Sequence, residues 1–129
     1  MNSKTVRLIG VFGTLWNLIG VGSYLAHVGI FGPEAAATPP GAAPMPDAVT
    51  AAFAIAVFSG LAGSIGLALL KRWAGPMLWL SFVASVVNWG WVFAYGEAGS
   101  PPLGIAVIVI ALALAIIAGR TPRTAASAA

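Results

Sequence analysis

The chain has 129 residues, of which 60% are hydrophobic and only 7% charged, with a formal net charge of +3. A water-soluble domain carries roughly 25% charged residues because its surface must be hydrated, so the composition excludes a soluble globular protein and makes lipid its solvent. With no cysteine and a single histidine, His27, the chain is also excluded from disulfide bonding, thiolate catalysis and a zinc or bis-histidine haem site built from one copy.

Met1 to Arg7 is short and polar, with Lys4 and Arg7, and an apolar run over 8–30 follows. That run exceeds the roughly 7–15 residues of a signal-peptide core and carries Trp16 and Asn17, so it reads as an uncleaved first transmembrane helix. Residues 31–47, FGPEAAATPPGAAPMPD, shift to Pro, Ala and Gly. Prolines at 33, 39, 40, 44 and 46 remove amide donors and favour extended backbone, which predicts an external loop of polyproline character.

The second span covers 48–70, with Asp47 at its amino end and Lys71-Arg72 at its carboxyl end, charges that suit the helix dipole. Small residues recur at every fourth position, Ala52, Ala56, Gly60, Ser64 and Ala68, with Ser59 and Gly63 beside them. Such spacing lays a strip along one helix face on which another backbone can pack closely. The third span, 74–95, follows a short turn and has Pro76 in its first turn, where a missing N–H costs little. Pro101-Pro102 opens the fourth span, 103–118, which is near the lower length limit for crossing a bilayer. Residues 119–129 form a basic tail expected to be disordered.

Charge then orients the chain. Lys4, Arg7, Lys71, Arg72, Arg120 and Arg123 fall at the amino terminus, the second loop and the carboxyl terminus, which an even number of spans places on one side. Glu34, Asp47 and Glu97 occupy the other two loops. The positive-inside rule puts both termini in the cytoplasm. The expected fold is an all-α integral membrane protein of the bacterial inner membrane, one domain of four transmembrane helices in up-down-up-down order.

No Asp, Glu, Lys or Arg falls inside a span, which argues against proton coupling, ion pumping and voltage sensing. No acid, base and nucleophile can be assembled in one place, so no enzymatic activity and no cofactor are assigned. Two polar stripes remain. Gly10, Thr14, Asn17, Val21 and Tyr24 share a face of the first helix; Ser81, Ser85, Asn88, Val92 and Tyr95 repeat the 4-3-4-3 spacing on the third. Counting along the helices places Asn17, Ser59, Ser85 and Asn88 as a polar cluster near the midplane.

Two roles fit that cluster. Interhelical hydrogen bonds there, each worth about 0.6–2 kcal/mol, would fix the register of the bundle. Alternatively the same groups, with Trp16, Trp89 and Trp91 nearby, would line a cleft for a neutral polyol or sugar. His27 falls near the outer interface with Glu34 and Glu97, while Tyr24, Trp91 and Tyr95 fit an outer aromatic belt and Trp73 an inner one.

The run AAFAIAVFSGLAGSIGLALLKRWAGPMLWLSF, preceded by Met45-Pro46, and WNLIGVGSYL over 16–25 resemble a set of small, functionally uncharacterised proteobacterial inner-membrane proteins, many of them labelled sugar transporters. Ser23 stands where an aspartate is frequent in that set, and Asp47-Ala48 where a tryptophan usually follows Met-Pro. The resemblance implies a four-helix membrane protein and, by that label, a transporter role.

The leading expectation is a non-catalytic protein acting through helix packing, an accessory or scaffold subunit of a membrane assembly. The alternative is a small neutral-solute carrier or channel, working as an oligomer, with Asn17, Asn88 and Tyr24 as contacts. The expected partners are the lipid bilayer and a second copy or a larger membrane complex, and not nucleic acid.

Overall fold

In the computed structural model, which describes residues 2–38, 43–95 and 101–120, the first helix starts on a side-chain cap. Asn2 accepts a hydrogen bond from the Thr5 amide at 2.8 Å, satisfying one free donor of the first turn of α1 (Ser3–His27). The helix closes at Gly29, whose φ of +91° lets the Ile30 amide reach back to the Leu25 carbonyl at 3.0 Å, a Schellman-type ending. The span expected at 8–30 is thus displaced towards the amino terminus. Val28, Ile30 and Phe31 stay apolar beyond the helix, because hydropathy reports solvent preference and not where the backbone turns.

The connection expected as a loop contains a short helix, α2 (Pro33–Ala36), with proline in its first turn. Residues 39–42 lie outside the described residues. α3 (Asp47–Ala68) and α4 (Ala74–Tyr95) match the second and third spans closely. α5 (Pro101–Arg120) has 20 residues, about 30 Å at 1.5 Å per residue, so it reaches across a bilayer comfortably. The expected 103–118 marked only its most apolar part; Gly119 and Arg120 are helical, not tail. Residues 96–100, with Glu97, and 121–129, with Arg123, lie outside the described residues.

Four helices are long and apolar enough to cross a membrane, α1, α3, α4 and α5. The third element is the axis of the bundle: α3 packs on α1 along one side and on α4 along the other, and α5 packs on α4. Gly10 faces Ala68, Gly13 faces Ser64 and Gly20 faces Val57, so α1 and α3 run antiparallel. On the opposite side Gly66 faces Trp73 and Gly63 faces Leu78. Five of the six seam residues, Ala52, Ala56, Gly60, Gly63 and Ser64, are buried, and Ala68 partly so. They do not form a single strip. Gly60, Ser64 and Ala68 receive α1, while Gly60 and Gly63 receive α4, so the small residues let two helices approach rather than one.

Val6, Leu67, Ala74, Leu78, Leu114, Ala115 and Ala118 form one buried cluster drawn from all four long helices. It lies at the end of the bundle that carries Lys4, Arg7, Lys71, Arg72 and Arg120. α1 and α5 have little contact with each other; they meet where Val6 joins the cluster and where Leu114 lies over Gly13.

Candidate binding cavity

Away from the basic end the helices part around a cavity of about 480 Å³, within the ~300–1,000 Å³ of small-molecule sites. Leu78 and Leu114, members of the buried cluster, form its floor. All four long helices contribute to the wall, and Ala35, Ala36, Ala37 and Met45 of the α1–α3 connection line its far end. Most of the wall is apolar. The polar exceptions come from α1 and α4.

At the lower end of the polar row sits Asn17. Its Nδ2 donates to the Gly13 carbonyl at 2.8 Å and to Ser64 Oγ at 3.3 Å. Its side-chain carbonyl rests against Gly60, and Ser81 Oγ approaches the same glycine, 2.8 Å from where a Cβ would be. Gly60 is therefore a socket in α3 that admits a polar group from α1 and another from α4. The Ser81 hydroxyl in turn donates to the Ala56 carbonyl at 2.7 Å. One turn on, Ser85 lines the cavity, and one turn further Asn88 donates to the Val49 carbonyl at 3.3 Å and to Met45 Sδ at 3.7 Å.

The expected midplane cluster is thus resolved differently by residue. Asn17, Ser85 and Asn88 share the cavity wall. Ser59 does not: it is buried, but its hydroxyl turns back onto the Ile55 carbonyl of its own helix, as serine in a helix commonly does. Nor do the two asparagines share a depth. Asn17 rests on Gly60 and Asn88 bonds Val49, eleven residues apart on α3 and hence about 16 Å apart along it. The stripe is a ladder running up the cavity, because successive turns of α4 meet α3 at successive heights. Ser81, placed on the stripe but outside the cluster, belongs to the wall. Gly60 stood out in the sequence as part of the small-residue strip, but that spacing carries no sign that the glycine would admit polar groups from two helices.

The aromatic residues divide in the same way. Trp16 and Trp89 line the cavity, and Trp89 packs with Phe93 over Gly104 of α5. Tyr24 instead packs edge-on against Phe53 at 5.4 Å and Phe58 at 5.9 Å, and Trp91 pairs with Tyr95. Tyr24 is therefore a packing residue between α1 and α3 and not part of the wall. His27 lines the cavity with its ring against Phe53. Among the described residues no group of His, Cys, Asp or Glu is arranged to hold a metal ion.

Compared with known proteins, the chain matches no family model, no curated protein and no solved structure.

Proposed function

We propose that this chain is a non-catalytic integral membrane protein that binds a small molecule within the bilayer, with both termini on the cytoplasmic side of a bacterial inner membrane. One observation carries the binding role: the four helices seal at the basic end and part around a closed-bottomed cavity at the other. A bundle that served only as packing surface would gain by collapsing that space, since protein interiors are close-packed and voids forfeit dispersion contacts.

An accessory-subunit role draws on the small residues of α3 as a surface for a partner. Gly60, Gly63, Ser64 and Ala68 are already occupied by α1 and α4, which removes most of the feature in its favour. The orientation rests on Lys4, Arg7, Lys71, Arg72 and Arg120 gathering at the sealed end, the pattern of a cytoplasmic face. The cavity wall supplies amides, hydroxyls and indoles but no acid–base pair, which suits binding and not catalysis.

Thermal unfolding in nanodiscs across a panel of neutral apolar and polar compounds tests the proposal. A ligand present at about 100 times its Kd stabilises the folded state by about 2.7 kcal/mol, and Ala111→Phe, which places a ring in the cavity, should abolish that shift. Copurification of a heterologous membrane protein at fixed ratio, with no compound shifting the transition, would restore the subunit role.

A further inference from the structure

We infer that the cavity takes a neutral single-chain amphiphile, a hydrocarbon body with a hydroxyl or carbonyl head, that enters from the bilayer between α1 and α5; this rests on the small-molecule-binding role proposed above. The starting point is hydrogen-bonding capacity left unused. Among the described residues every fully enclosed side-chain nitrogen or oxygen has a partner. Ser85, 4% exposed, makes no side-chain hydrogen bond, and Asn88, 5% exposed, uses only its amide N–H groups. The free Ser85 hydroxyl and Asn88 carbonyl are therefore neighbouring groups open to the cavity that both residues line, whereas the Asn17 carbonyl, also without a donor, rests against Gly60. At i and i+3 they share one face of α4. Together they offer a donor and an acceptor, which is what a single hydroxyl requires; a carbonyl head would accept from Ser85 alone.

The rest of the wall decides what lies behind that head. Leu78, Leu103, Val107, Ile110, Ala111 and Leu114 present only hydrocarbon. A sugar would bring several hydroxyls against this surface, each of them desolvated without a partner. No Lys, Arg, Asp or Glu lines the cavity, and its one titratable side chain, His27, is held against Phe53. An ionised head would thus be desolvated with no permanently charged side chain to pair with. The head is accordingly neutral.

The route follows from the helix contacts. α1 and α5 touch at the level of Leu114–Gly13 and below. Above it the cavity separates Gly20 and Ser23 of α1 from Leu103 and Val107 of α5. The α1–α3 connection lies over the far end, so the way in that suits a hydrocarbon chain is lateral.

The test uses the full chain in liposomes with a long-chain alcohol carrying a diazirine in its tail. Photolysis should label the stretches around Gly20–Ser23 and Val107–Ala111, and excess unlabelled alcohol should cut the adduct at least tenfold. The matching fatty acid, held at a pH where it is ionised, and glucose should leave it unchanged. Ser85→Ala, which breaks no hydrogen bond of the fold, should weaken protection by the alcohol about threefold to tenfold, the ratio worth one hydrogen bond. Unprotected labelling spread equally over the outward residues Leu80 and Val83 would mean bulk lipid contact and overturn the inference. So would an unchanged response in Ser85→Ala. Protection by glucose in place of the alcohol would overturn the amphiphile while leaving small-molecule binding intact; no protection and no thermal shift by any compound would remove both.

Discussion

The two ends of the bundle are built from the same four helices and are both mainly apolar inside, yet one is sealed and the other holds a cavity. At the basic end the facing positions are small, with Gly63, Gly66, Ala74, Ala115 and Ala118 turned inwards, so the backbones close on Leu67 and Leu78. At the other end Trp16, Phe53 and Trp89 stand on the inner faces and hold the helices apart. Hydrophobicity cannot distinguish the ends, because lipid tails are as apolar as either interior. What separates them is side-chain volume at the contact, the variable that governs helix association in lipid.

The largest effect should come from the sealed end, where there is no room. A Cβ on Gly10 would lie 2.7 Å from Ala68 Cα, so backbone and not a movable side chain stands in the way. Gly10→Val should cost more than the ~3 kcal/mol usual for overpacking and prevent recovery of a monodisperse folded protein in detergent. Gly22, with nothing within 4 Å, is the control, and Gly22→Ala should unfold at or above the wild-type temperature. Equal damage from both would show that the closeness of α1 and α3 does not matter.

Truncation should separate the ends next. Leu67 is 1% exposed within the sealed cluster, whereas Leu103 is 47% exposed at the cavity rim. Leu67→Ala should cost about 2–3 kcal/mol, the lower part of the range for buried leucine, since in lipid the loss is of packing more than of transfer. Leu103→Ala should stay within about 0.5 kcal/mol, the range for residues outside packed features. Denaturant titration in one micelle type measures both, and similar losses would mean that the rim is packed too.

Between the two ends lies the socket at Gly60. A methyl group there would displace Asn17 Cγ and Ser81 Oγ, both 2.8 Å away. Gly60→Ala should cost about 1–2 kcal/mol. Asn17→Ala in the same chain should remove part of the conflict, so the double variant should be less damaged than the two single losses added together. Strict additivity would show that Asn17 is not seated on Gly60.

Much of this architecture was legible in the residues. Uninterrupted apolar runs located four helices, and Lys71-Arg72 marked the turn between α3 and α4. The 4-3-4-3 spacing of Ser81, Ser85 and Asn88 placed three cavity residues on one face before any contact was known. Depth was harder to read, because counting along a helix ignores the height at which each turn of α4 meets α3; Asn88 bonds Val49 and Met45 near the far end. Ser59 could not be told from Ser85 by type or depth. Only the direction of its side chain separates them. The cavity itself had no local signature, since it depends on four inner faces at once.

The smallest predicted effect concerns the turn that closes the sealed end. Leu70 is the one non-glycine residue with positive φ among the described residues, at +57°. In that conformation the Lys71 amide donates to the Gly66 carbonyl at 2.7 Å, ending α3 just before the basic pair. A left-handed residue with a Cβ costs roughly 1–2 kcal/mol relative to the right-handed form, while the Leu70 side chain packs against the buried cluster from a partly buried position. Leu70→Gly relieves the first and forfeits the second, so its net effect should be within about 0.5 kcal/mol. Leu70→Ala keeps the strained backbone and loses the packing, so it should be the worse of the two by about 1 kcal/mol. That inverts the order expected inside a helix, where glycine is the more costly. Thermal unfolding of the pair in one detergent reads the sign directly, and an alanine variant more stable than the glycine one would place Leu70 in a right-handed turn.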